Sequence, residues 1–118
     1  YEFVTRAVYA DYFRVHSTEA GYMDRAIAEC RSLPEKGRLA CIEGVAEGHI
    51  KYGEPQHEYQ QALAFCSHDE LTEEERNACR GVTLPLLSSL YDGDEQLKFC
   101  ASLAPEDRGQ YCSLAGSK

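Results

Sequence analysis

The register of the cysteines constrains this chain more than any other feature. They stand at positions 30, 41, 66, 79, 100 and 112, and the first of each couple recurs in steps of 36 and 34 residues. Sequence context recurs with them. Ala26-Ile27-Ala28-Glu29, Ala62-Leu63-Ala64-Phe65 and Gln96-Leu97-Lys98-Phe99 precede the first cysteines. Pro34, Thr72 and Pro105 each lie seven residues before the second, and each is followed by a glutamate, Glu35, Glu73 or Glu106. Arg38 and Arg76 sit three residues before that second cysteine, with Arg108 displaced by one. Between the two cysteines of a couple, length varies only ahead of the Pro/Thr position, where a turn tolerates insertion. A period of this size marks one supersecondary unit used three times.

Helix signals fit that frame. Proline at a first helical position lacks only an N–H that would be unpaired anyway. Thr72 with Glu75 forms a capping box, and Glu73 and Glu74 place negative charge at the positive end of the helix dipole. Each unit therefore reads as helix A, a turn and helix B. The first helix A is expected from about Thr18 to Leu33 with Ser17 as cap, and helix B from Pro34 to about Tyr52, stopped by Gly53 at C′. The next pair is expected from Pro55 to about Ser67 and from Thr72 to about Tyr91, with a kink at Pro85. A short helix from about Asp94 and another from Pro105 complete the third unit.

Residues 1–16 read as an additional helix, with Phe3, Val4, Ala7, Val8, Tyr12 and Val15 available to cap the first hairpin. In the first helix B, Leu39, Ile42, Val45, Ala46, His49 and Ile50 recur at helical spacing. Gly44 and Gly48 on that helix cost roughly 1 kcal/mol each relative to Ala, so close approach of a neighbouring helix is expected to offset them. The expected architecture is an all-α domain over residues 1–118. It is a short α-solenoid with a capping helix at 1–16 and hairpins at 17–53, 54–91 and 92–118.

The couples Cys30-x10-Cys41, Cys66-x12-Cys79 and Cys100-x11-Cys112 contain no C-x2-C or C-x-C element of the kind that zinc and iron–sulfur sites use. Disulfides and an oxidising compartment follow, hence a secreted or periplasmic protein. Six cysteines can pair in several ways. The repeat register selects Cys30–Cys41, Cys66–Cys79 and Cys100–Cys112, with pairing between adjacent hairpins as the competing arrangement.

The period and the alanine-rich helix A resemble the tetratricopeptide and Sel-like repeat superfamily, nearest in pattern to secreted bacterial cysteine-rich proteins whose hairpins carry one disulfide each. The resemblance covers residues 17–116. The cysteine spacing within a hairpin is longer here, and the tetratricopeptide Trp-Leu-Gly-Tyr signature is absent. In stacked hairpins the A helices line the concave face, so the resemblance implies a partner surface at Tyr22, Arg25, Glu29, Glu58 and Gln61.

The chain carries a formal net charge of −8, with 20 acidic and 12 basic residues. Such a surface repels phosphate backbones and anionic lipid, which argues against nucleic-acid and membrane-surface roles. No run approaches the roughly 18 apolar residues that span a bilayer. Tyr1 opens directly into periodic sequence, as expected where a leader has been removed or the chain was cut from something longer.

Catalytic motifs are not found. His57-Glu58-Tyr59-Gln60-Gln61 begins like a zinc-protease helix, but Gln61 occupies the second ligand position. His49 falls on the apolar stripe and reads as a hydrogen-bonded core residue; His16 ends the first helix, and His57 and His68 lie near opposite ends of one short helix. Glu73, Glu74 and Glu75 read as a solvated helix start, and Asp92, Asp94 and Glu95 around Gly93 as a turn with an N-cap. Tyr9, Tyr12, Phe13 and His16 share one side of the first helix, either packing there or offering an aromatic contact surface.

The expected function is a non-enzymatic module outside the cytoplasm that binds a protein or peptide, with no catalytic residue, metal or cofactor. Its acidic groove would favour basic or extended partners. The alternative is a small lipophilic-ligand carrier, since an acidic six-cysteine helical chain is similar in composition to insect odorant-binding proteins, although their C-x3-C and C-x8-C elements are absent. Closing loops of this size restricts the unfolded chain by about 3 kcal/mol each. Net domain stability is only about 5–15 kcal/mol, so reduction should lower the melting temperature steeply. A melt indifferent to reductant would contradict the stapled hairpins.

Overall fold

A computed structural model describes residues 2–112, with side chains from Val4 onward; Phe3 as a capping side chain and residues 113–118 of the third unit lie outside what it describes. The described residues are all-helical. They form α1 (Glu2–His16), α2 (Tyr22–Arg31), α3 (Glu35–Lys51), α4 (Glu58–Cys66), α5 (Glu73–Leu90), α6 (Gly93–Ala101) and α7 (Pro105–Tyr111). Disulfides join Cys30 to Cys41, Cys66 to Cys79 and Cys100 to Cys112, with Cα–Cα distances of 5.3, 5.4 and 6.1 Å. These are the couples that the repeat register selects. Each links consecutive helices, so α2 is tied to α3, α4 to α5, and α6 to the end of α7.

The helix starts explain the displaced arginine. Pro34, Thr72 and Ala104 are the N-cap residues, so Pro105 occupies the first turn of α7 whereas Pro34 precedes α3. Counted from its cap, each arginine holds the same position. The N–H of Arg38 bonds Pro34 O at 2.8 Å, that of Arg76 bonds Thr72 O at 2.9 Å, and that of Arg108 bonds Ala104 O at 2.9 Å. It is the third cysteine that has moved. At α5 the capping box is complete: Thr72 Oγ1 accepts the Glu75 N–H at 3.2 Å, and Glu75 accepts the Thr72 N–H at 2.9 Å.

The first two A helices begin later than the sequence pattern suggests. Residues 17–21 form turns in which the Glu19 N–H bonds His16 O and the Tyr22 N–H bonds Glu19 O, so Ser17 caps nothing. Gly21, with φ +70°, is the N-cap of α2. Left-handed backbone interrupts helical hydrogen bonding, and glycine takes it at no steric cost. Residues 55–57 likewise turn around Gln56 at φ +71°, so Pro55 precedes α4 without starting it. Gly53, by contrast, is not left-handed; a Cβ there would fall 2.1 Å from His49 O, so the residue is demanded by space and not by φ.

Helix α3 is central. Gly37, Ala40, Cys41, Ile42, Gly44, Val45, Ala46, Gly48 and His49 are all buried, a set that runs around the helix and not along one stripe. Helices α1, α2, α4 and α5 all pack on it. Ile42, Val45, Ile27, Phe65, Phe13 and Leu71 form one apolar cluster there; Leu84, Leu87, Phe99, Leu103 and Tyr91 form a second, beneath α5 and α6. The whole measures 45 × 26 × 26 Å.

Gly44 and Gly48 meet the close approach expected of them. A Cβ on Gly44 would lie 2.4 Å from Arg6 O, and one on Gly48 would lie 2.6 Å from Ala10 O and 2.7 Å from Phe13 Cβ. Contact at that range requires a small or flat partner face, and α1 presents Ala10 and Phe13, both buried. Of the side chains expected to cap the hairpin, Tyr12 packs on the core, whereas Ala7 and the valines are exposed. Val4, Val8 and Val15 point outward, 66, 55 and 52% exposed, because branched side chains would hold the two backbones apart. Arg6 seals the edge with Glu47 at 2.9 Å.

Gly48→Ala should therefore destabilise the fold by about 1–3 kcal/mol through overpacking. Gly109→Ala, in open space within α7, should stabilise by about 0.5–1 kcal/mol through helix propensity. Denaturant titration of both variants checks the opposite signs.

Candidate functional site

The five expected partner-facing residues do not form one surface. Tyr22 is buried at 6% exposure and is withdrawn from it. It shares a helical face with Ala26 and Cys30, so the staple that ties α2 to α3 turns this tyrosine inward. Its ring lies 5.6 Å from Phe13, edge to face, and its hydroxyl 3.1 Å from His49 Nε2. Burial raises its pKa. The four-residue spacing back from Cys30 was the available signal.

Arg25 and Glu29 are exposed and belong to a surface shared with α1. Arg25 pairs with Glu19 at 2.8 Å, and the Tyr9 hydroxyl donates to Glu29 at 3.2 Å. Tyr9 and Tyr12 stand 5.9 Å apart, and Tyr12 lies 4.4 Å from the His16 ring. Partial burial, then the Glu29 carboxylate, raises the pKa of both tyrosines. From Tyr12 and Phe13 the rings continue inward to Tyr22, His49 and Phe65, so the aromatic side of α1 is mostly packing.

Glu58 and Gln61 separate as well. Glu58 accepts the Tyr91 hydroxyl at 2.9 Å, and that oxygen accepts the Tyr59 N–H at 3.0 Å, which ties the start of α4 to the end of α5. Gln61 is exposed in a groove of about 330 Å³ with Glu19, Met23, Asp24 and His68. A second groove of about 590 Å³ runs along α2 over Ile27, Ala28 and Ser32, rimmed by Asp24, Arg31 and Glu70. Asp24 lines both.

His68 lines the first groove and faces Asp24. Its Nδ1 accepts the Glu70 N–H at 3.0 Å, which leaves the hydrogen on Nε2 to face Asp24 Oδ1 at 2.9 Å. The combined trough has an apolar floor, carboxylates at Glu19, Asp24 and Glu70, and an open roof. Neither part is an enclosed apolar chamber, nor is the groove of about 280 Å³ between Arg6, Ala10 and Glu47.

Beneath the trough lies a carboxylate that the pattern assigned to solvent. Glu73 and Glu74 are exposed, but Glu75 is fully buried. Arg31 reaches it at 3.1 Å and Arg38 makes a shorter contact, while Arg38 also holds Glu74 at 3.2 Å. Burial alone would push the Glu75 carboxyl up; the Thr72 N–H and the two guanidinium groups outweigh it, and the net shift is downward. The capping box requires Glu75 to fold back onto the helix start, and that turn carries it under α2 and α3. The corresponding residue of α7 repeats the link, with Asp107 paired to Arg80 of α5.

The histidines do not converge. His16 pairs with Glu19 at 3.1 Å, His57 is exposed at the start of α4, and His49 lies in the core. Among the described residues no group of three or more His, Cys, Asp or Glu is placed to hold a metal. Asp92 is the N-cap position of α6 without a side-chain capping bond, and Gly93 beside it has φ +57°. Comparison of the chain with protein-family models, curated proteins and solved structures finds no match.

Glu75→Ala should cost about 2–4 kcal/mol, since it leaves two guanidinium groups facing a buried void, though Arg31 keeps some access to water. A depressed carboxylate contributes stability above its unfolded value and loses it as pH falls through the folded value. Wild type should therefore lose this increment below about pH 4.5, and Glu75→Gln should not, as measured by denaturant midpoints across pH.

Proposed function

We propose that this chain is a non-enzymatic binding module that works outside the cytoplasm and takes an extended, cationic segment of a protein or peptide along α2. The trough over Ile27 and Ala28, rimmed by Asp24, Glu19 and Glu70, the last beside Arg31 of the same rim, carries this reading. A helix of ten residues is about 15 Å long, which matches four or five residues of extended chain. An apolar floor accepts alternate side chains, and carboxylates on the rim attract the basic ones between them. The net charge of −8 adds long-range steering toward such a partner.

Three disulfides among the described residues support an oxidising location. No described helix is long and apolar enough to cross a membrane. Successive packing of α1 on α3 and of α3 on α5 supports a short tetratricopeptide-like stack, in which each hairpin covers the apolar face of the one before it.

The test uses a labelled peptide of alternating Arg and Leu and its Glu-for-Arg counterpart. Binding of the basic peptide should weaken with salt. It should fall about tenfold, or about 1.4 kcal/mol, in an Asp24→Lys, Gln61→Lys double variant whose melting temperature is unchanged. Equal binding of both peptides, or indifference to the double variant, overturns the proposal.

A further inference from the structure

Helix α1 differs from every later helix in how it is held. It contains no cysteine, so no covalent link ties it to the three stapled hairpins. It joins them through residues 17–21, a turn that ends in left-handed Gly21. Its outer face is exposed valine, and its inner face rests on Gly44, Gly48 and His49.

His49 is therefore the polar group beneath the cap. It is 1% exposed, with Phe13 of α1 at 4.3 Å, Phe65 of α4 at 5.3 Å and Tyr22 of α2 at 5.7 Å between ring centroids. Nε2 meets the Tyr22 hydroxyl, while Nδ1 is buried without a partner. A neutral imidazole can leave Nδ1 as a bare acceptor there. An imidazolium would place a full charge and a second N–H donor in the same pocket, where Nδ1 has no hydrogen-bond partner. We propose that α1 is an acid-released cap: proton uptake by His49 lifts α1 from α3 while the stapled hairpins remain folded.

The linkage has one sign. In the closed state burial lowers the pKa of His49 from 6.5 to about 3, whereas with Phe13 removed the ring regains water. Closure is thus fully favoured above pH 6.5, and the opening constant rises up to tenfold per pH unit below it. The other charged groups around the cap respond differently. On α2, Tyr22 stays neutral throughout this range, and Glu58 at the start of α4 is engaged by Tyr91. Arg6 pairs with Glu43 and Glu47, and Tyr9 with Glu29; carboxylates in general take up protons about two pH units lower than histidine. His16, at the hinge, faces Glu19 at 3.1 Å and lies outside the pocket of His49.

Amide hydrogen exchange on the oxidised full chain, corrected for intrinsic rates between pH 7.5 and 5, reads the release directly. The α1 amides should lose protection about tenfold per pH unit below 6.5, while those of α3 and α5 keep theirs. His49→Phe and His49→Gln should each flatten the α1 profile, and His16→Gln should leave it steep. Parallel loss in α1 and α5 would mean global unfolding and would overturn the proposal, as would flat α1 protection in wild type. A slope that survives both His49 variants would overturn it as well. Should neither variant fold, the wild-type contrast between α1 and α5 still decides.

Discussion

The structure depends on a helix that is buried on nearly all sides. Helix α3 receives α1, α2, α4 and α5, and it can do so because its sequence is built from Gly, Ala, Val and Cys at the contact positions. Small residues let backbones approach closely, and where Gly44 and Gly48 face α1 they allow carbonyl oxygens to occupy the volume of a methyl group. Close packing at that range recovers dispersion and area burial that two isolated helices could not reach. It also fixes which face of α1 is inward: the flat Ala10 and Phe13 side fits, and the valine side does not.

A polar arrangement runs alongside this packing and repeats from one hairpin to the next. An arginine on one helix B reaches an acid in the first turn of the following one, as Arg38 to Glu75 and Arg80 to Asp107. Both acids occupy the third position after the N-cap, where the helix dipole already favours negative charge. The other two cap-proximal arginines serve their own hairpin turns. Arg76 donates to His68 O, and Arg108 to Cys100 O and Leu103 O, satisfying carbonyls at the ends of the A helices. The disulfides hold each hairpin closed, and these charge contacts hold the hairpins in register.

Surface chemistry and core organisation meet at α2. Its inward face carries Tyr22, Ala26, Ile27 and Cys30, and its outward face carries the carboxylates and guanidinium groups that rim the trough. The buried Tyr22–His49 pair lies directly between that trough and α1. Any movement of α1 therefore acts on the inward face of α2, the helix whose outward face rims the trough.

By itself the sequence determines the helical class, the repeat frame and the capping box at Thr72, and its register favours the disulfide pairing found, because those depend on spacing within a few turns of backbone. The need for close approach at Gly44 and Gly48 is local in the same sense, since glycine in a helix interior requires compensation wherever it occurs. What packs against those glycines is not local. The valines of α1 are as apolar as Phe13, and only the separation between the two helix backbones decides which set is buried. Glu75 looks like its neighbours Glu73 and Glu74 until the positions of Arg31 and Arg38 are known. A stack of hairpins would place Tyr22 and Gln61 on one partner surface; the Cys30 staple turns the first into the core and leaves the second exposed. Local spacing sets the elements and their links, whereas burial of a particular charge or ring depends on helices brought together from distant parts of the chain, and that only tertiary packing decides.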